Sequence, residues 1–162
     1  MRVNWSLVIS AISLVLSVYA AFSVWYQSHR KVRIKCNWIC VVSDQRDFSF
    51  NFYNPASEGI VINGVSFKAD ADKEIYKCVQ WPIVLLIRSN KRIFSDNFPV
   101  NIPAKTSKNV ICVSQHLPKD LSLDTCEFYI EVNGKQITLS VDLKDKVINS
   151  DKLVNVLESN FG

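Results

Sequence analysis

Residues 5–26 read WSLVISAISLVLSVYAAFSVWY, and no charged side chain falls between Val3 and Ser28. As an α-helix these 22 residues would run about 33 Å, enough to cross a hydrocarbon core of about 30 Å. Trp5 stands at one end and Trp25 with Tyr26 at the other, where amphipathic rings prefer the headgroup level. His29 and the basic side chains Arg30, Lys31, Arg33 and Lys35 follow at once. The expectation is an N-terminal single transmembrane helix: an anchor over 1–29 spanning about 5–26, a basic collar over 30–35, and a mainly-β domain over 32–162. The competing reading is a cleaved signal peptide, with Arg2 as its charged start, Leu7–Val18 as its apolar core and Val18-Tyr19-Ala20 as the cleavage site. The apolar run continues through Phe22, Val24 and Trp25 into the dense collar, which favours an uncleaved anchor.

Charge divides sharply along the chain. The protein has 162 residues, 48% hydrophobic, with 19 Lys+Arg against 15 Asp+Glu and a net charge of +4. Residues 1–35 hold Arg2, Arg30, Lys31, Arg33 and Lys35 and no acid, so the remainder is close to neutral. A basic nucleic-acid-binding domain is therefore disfavoured. The Lys/Arg excess lies on the C-terminal side of the span, which favours a cytoplasmic domain at a bacterial inner membrane, with the periplasm as the alternative. Cys36, Cys40, Cys78, Cys112 and Cys126 are five thiols, an odd number, all beyond the anchor. A reducing compartment requires no pairing among them.

The apolar helix carries a pattern. Ser6, Ser10, Ser13, Ser17 and Ala20 recur at spacings of 4, 3, 4 and 3. Small residues at that period let a second helix approach closely in lipid, and their hydroxyls can hydrogen-bond across the contact. A docking seam for another transmembrane helix, its own copy or a partner, is one expectation. The other is that each hydroxyl bonds a carbonyl one turn back on its own helix.

Beyond the collar the period changes to two. Val32, Ile34, Cys36, Trp38, Cys40 and Val42 are expected on one strand face, followed by a strand carrying Phe48, Phe50 and Phe52. Asn54 to Gly59 is a turn, and Asn63-Gly64 permits a bulge or tight turn in the next strand. Tyr76–Trp81 and Ile83–Ile87 read as strands divided by Pro82, and the apolar run Trp81–Ile87, too short to span a bilayer, reads as a core strand or, alternatively, as a membrane-dipping edge. Residues 98–104 read as an edge segment because two prolines cannot donate to a ladder, and Val110–Val113 as a short strand. Cys126–Val132, Asn133-Gly134 and Gln136–Leu143 form the clearest hairpin, joined by a type I′ signal. Ser150 is expected to cap a terminal helix over about 150–159. The expected fold is a transmembrane helix followed by an antiparallel, immunoglobulin-like β-sandwich with a short C-terminal helix.

Signals for catalysis are weak. Cys36 and Cys40 lie about 13 Å apart if they share one strand face, too far to chelate an ion together. Asp70-x-Asp72-x-Glu74 lacks the central glycine and distal glutamate of a calcium loop. His116 has Ser114, Cys112 and Asp120 nearby in sequence, but neither a nucleophile elbow nor a glycine-rich oxyanion loop surrounds it. A surface or turn histidine is the plainer expectation. Neither catalytic residues, nor a metal or cofactor, nor a small-molecule substrate are expected. The collar can meet anionic lipid, although a stop-transfer role alone explains it.

In length, in the opening MRVNWSLVISAISLVLSVYAAF and in its aromatic-basic end WYQSHRKVRIK, the chain resembles the small inner-membrane superinfection-exclusion A proteins of temperate tailed phages. That resemblance implies expression from a prophage and a block on DNA entry by related phages. The block would act through contact with injected DNA-ejection proteins that form a conduit across the membrane. The alternative is a host membrane-tethered scaffold or binding module with no phage role. Both are non-enzymatic and act by protein–protein interaction.

Overall fold

The computed structural model describes residues 4–28, 30–69, 74–88, 91–118, 121 and 123–161. Arg2, His29, Asp70, Asp72 and Asp120 lie outside these residues. The elements follow the change of period. Helix α1 (Trp5–Ser28) starts where the Asn4 carbonyl accepts from the Leu7 and Val8 amides at 3.1 and 3.3 Å. Eleven strands and a last helix come next: β1 (Arg33–Val42), β2 (Gln45–Tyr53), β3 (Ile60–Ala69), β4 (Tyr76–Lys77), β5 (Val84–Arg88), β6 (Lys91–Phe94), β7 (Val100–Ile102), β8 (Ser107–Ser114), β9 (Thr125–Val132), β10 (Lys135–Asp142), β11 (Val147–Ile148) and α2 (Ser150–Phe161).

One sheet has the order β11-β1-β2-β8. The other has the order β10-β9-β3, with β4 and β7 both pairing to the free edge of β3. Their facing sides pack through aromatic rings. Phe48 of β2 lies 4.8 Å from Phe67 of β3 and 5.2 Å from Phe128 of β9, and Phe50 lies 5.0 Å from Phe128. All four rings are fully buried. The edge-to-face geometry of Phe128 against Phe48 and Phe50 is the favoured one for aromatic quadrupoles. The ladders are antiparallel except one: β11 runs parallel to β1, pairing Ile39 with Val147 and Cys40 with Ile148.

The β9–β10 hairpin forms as the sequence predicts, with Val132 opposite Lys135 and both Asn133 (φ 49°) and Gly134 (φ 73°) left-handed. That is the backbone a type I′ turn requires. The expected bulge at Asn63-Gly64 is also present, as a register shift between Ile62 and Gly64.

A second bulge corrects the reading of β1. Register against β2 shifts between Cys36 and Trp38, so the phase of the strand reverses at Asn37. Cys36 and Ile39 point into the core between the sheets, whereas Trp38 and Cys40 point to the opposite face. There they pack with Ile111 of β8 beneath Leu153 and Leu157 of α2, with Leu85, Leu86 and Ile93 of the β5–β6 hairpin alongside. The domain thus has a third layer on the outer side of the β1-β2-β8 sheet, and Cys36 and Cys40 do not share a face.

Three further expectations change. The cap of α2 is Asn149, not Ser150: its Oδ1 accepts from the Lys152 amide and its carbonyl from Leu153, both at 3.0 Å. The expected Tyr76–Trp81 strand shrinks to Tyr76–Lys77, and Val79 instead donates to the Val113 carbonyl at 2.8 Å, covering the edge of β8. Residues 81–87 are not a core strand. Trp81 is 61% and Ile87 65% exposed, while Leu85 and Leu86 pack inward.

Candidate membrane interface and packing seam

The anchor end of the domain is held by two asparagines. Asn54 is wholly buried and donates from Nδ2 to the carbonyls of Glu58 (2.7 Å), Pro103 (3.1 Å) and Ile102 (3.3 Å), while its Oδ1 accepts from the Ala56 amide. These bonds bind loop 54–59 to the turn between β7 and β8. Asn133 exchanges bonds with Val61 at 2.8 and 2.9 Å, tying the β9–β10 tip to the start of β3. The starts of β1, β3, β8 and β10 therefore meet at the end of the domain from which α1 departs.

Helix α1 is long and apolar enough to cross a bilayer: Trp5–Tyr26 has a mean hydropathy of 2.3, and none of it is buried by the rest of the chain. At its C-terminal end Phe22 stacks near Trp25 (5.9 Å) and Tyr26 (6.4 Å), and the Arg30 guanidinium sits 5.3 Å from the Tyr26 ring centre. This cation–π contact couples the aromatic belt to the collar. Trp25, Tyr26, Arg30, Lys31, Arg33 and Pro55 line an open cleft of about 530 Å³. Lys35 lies further along β1, exposed. Trp5, at the other end of the helix, is 71% exposed. Phe22 joins this aromatic cluster, which the sequence reading confined to Trp25 and Tyr26. Its i+3 and i+4 spacing to Trp25 and Tyr26 is the signal that marks it.

Ser6, Ser10, Ser13, Ser17 and Ala20 fall within about 80° of one another around α1, at 100° per residue, and all are exposed. Two of the hydroxyls are used locally: Ser17 donates to the Ser13 carbonyl at 2.8 Å and Ser6 to the Asn4 side chain at 2.9 Å. The seam is thus a groove of small residues whose hydroxyls partly back-bond to their own helix.

The remaining candidates do not converge on a reacting centre. His116 sits in a left-handed turn (φ 60°) with its side chain exposed, its Nδ1 3.7 Å from Asp44 Oδ2. Ser114 donates its hydroxyl to the Lys77 carbonyl, and Cys112 directs its thiol to the Phe48 carbonyl at 3.8 Å. All five cysteines are buried thiols, outside any disulfide. Burial pushes the thiols of Cys36 and Cys40 up to about 11 and that of Cys112 well above its ordinary value, which keeps them protonated and weakly nucleophilic. Among the described residues no cluster of three or more His, Cys, Asp or Glu could hold a metal ion.

Asp47 is the one buried carboxylate with a large perturbation among the described residues. It lies opposite Cys40 under the α2 layer, 1% exposed, and accepts from Gln45 Nε2 at 2.7 Å. Burial raises its pKa from 3.8 to about 6 despite that bond.

No family model matches the chain, and no curated protein matches it. Among solved structures it is similar to a β-glucosidase from Kluyveromyces marxianus, with 9% identity and a TM-score of 0.35, over 72% of this chain and 14% of that one. The chain thus spans a small fraction of the enzyme's length, and at that likeness nothing about activity transfers.

Proposed function

We propose that this chain is a single-pass bacterial inner-membrane protein that acts by protein–protein contact and excludes superinfecting phages by blocking their DNA entry. The observation that carries the membrane reading is the uncharged, mainly apolar 22-residue span Trp5–Tyr26 of α1, none of it buried, joined through an aromatic and basic girdle to a folded β-domain. The resemblance of the opening segment to superinfection-exclusion A proteins supplies the biological form. The partner is another transmembrane helix, a second copy or an injected phage ejection protein, packed along Ser6, Ser10, Ser13, Ser17 and Ala20. The collar's basic excess supports a cytoplasmic domain.

We also read the β-domain as immunoglobulin-like. If β1, β2, β3, β8, β9 and β10 are strands A, B, C, E, F and G, the sheets run A-B-E and C-F-G, the order of that sandwich. Departures are the parallel β11, the β5–β6 hairpin and the Trp38–α2 layer.

The test is expression of the chain alone in a susceptible host challenged with a panel of tailed phages. Wild type lowers plating of some phages. Ser10→Leu, Ser13→Leu and Ser17→Leu together abolish that effect at an unchanged membrane level. Exclusion of no phage refutes the function, and full exclusion by the triple variant refutes the seam. A reporter fused to the C-terminus reads the sidedness.

A further inference from the structure

The geometry points to the anchor end of the β-domain as a docking surface for anionic phospholipid headgroups, formed by Lys105 and Lys135 together with the collar. This rests on the membrane-anchor reading and adds a contact that the collar alone does not specify. Lys105 lies in the turn between β7 and β8, and Lys135 follows the β9–β10 tip, 70 and 100 residues beyond the collar in sequence. Asn54 clamps the first turn to loop 54–59, whose Pro55 borders the cleft with Trp25, Tyr26 and Arg30. Asn133 fixes the second to β3. Both lysines are exposed. Lys105 occupies a left-handed conformation (φ 56°) that asparagine or glycine adopts more readily.

Charge is polarised along the domain. Glu58 and Glu131 are the acids at the anchor end among the described residues, with Asn63 Nδ2 3.3 Å from Glu131. At the far end, Asp44, Glu74, Asp124, Glu127, Asp142 and Asp145 stand among the exposed or half-exposed Lys68, Lys77, Lys144 and Lys146, so the described residues there carry no basic excess. A bilayer bearing negative headgroups attracts the first end and has no comparable basic cluster to attract at the second, within a Debye length of about 10 Å. No Gly/Ser or Pro-rich tether separates α1 from β1, so the surface is presented at headgroup distance. The domain would then stand end-on, with its three turns on the lipid.

The full chain is reconstituted in vesicles of phosphatidylcholine alone and of phosphatidylcholine with phosphatidylglycerol, and lysine acetylation rates are read by mass spectrometry. Lys105 and Lys135 are expected to react about fivefold more slowly in the anionic vesicles. Lys144 and Lys152 should be unchanged, and high salt should remove the difference. Inorganic phosphate added to the neutral vesicles should give no protection; equal protection there would assign the site to free phosphate and overturn lipid docking. Equal rates at Lys105 and Lys135 in both vesicles, with the chain resisting alkaline carbonate extraction, overturn the docking surface and leave the anchor standing. Release of the chain by carbonate from both vesicles overturns both.

Discussion

Replacing Asp47 by Asn should stabilise the protein at neutral pH. Folded Asp47 binds its proton more tightly than it does in the unfolded chain, with a pKa of about 6 against 3.8. A raised carboxyl leaves stability intact below the lower value and removes it as pH climbs through the upper one. The gap corresponds to about 3 kcal/mol, at ~1.4 kcal/mol per pH unit, lost in full above about pH 7. Asparagine keeps an oxygen for the Gln45 amide, which donates at 2.7 Å, and carries no charge into the layer beneath α2. Thermal unfolding of the detergent-solubilised full chain should therefore show Asp47→Asn melting roughly 10 °C above wild type at pH 7.5. At pH 4, where Asp47 is protonated in the fold and roughly 40% protonated outside it, the advantage should fall below about 1 kcal/mol. An Asn variant no more stable than wild type at pH 7.5 would refute the buried-charge account. So would a gain of the same size at both pH values, which would trace to packing.

Phe128→Ala should cost about 3–5 kcal/mol, because the ring fills the centre of the sandwich with edges and faces toward Phe48, Phe50 and Phe67; denaturant unfolding measures it. Asn54→Ala should cost about 1–3 kcal/mol, because it removes the donor to the buried Ile102 carbonyl and to the part-buried carbonyls of Glu58 and Pro103. It should also raise trypsin cleavage at Lys105; unchanged cleavage would show that the clamp does not hold the turn.

Much of the architecture was legible because it rests on local periodicity. The apolar helix declares itself by length, the β9–β10 hairpin by Asn133-Gly134, and the core face of β2 by alternating phenylalanines. The phase of β1 was not legible. A bulge is a pairing event between two strands, and Trp38 changes face only because β2 sets the register around Asn37. The β5–β6 hairpin was misplaced for a related reason. Its inner residues are buried by α2 and β8, elements far away in the chain, so Trp81 and Ile87 stay outside although their composition reads as core. The Asn149 cap was missed by one position because Asn and Ser are equally good candidates and only the hydrogen bond to the Lys152 amide separates them.

By itself the sequence determined the hydrophobic helix, its aromatic ends, the asymmetric charge and the seam of small residues, since each is a property of neighbours along one helix or one short segment. Only the tertiary structure decided which turns lie beside the anchor. Lys105 and Lys135 join the collar's end of the domain through the Asn54 and Asn133 bonds and the register of β3 against β7 and β9. Backbone pairing between strands remote in sequence brings those charges together, and a linear reading has no means to sum them.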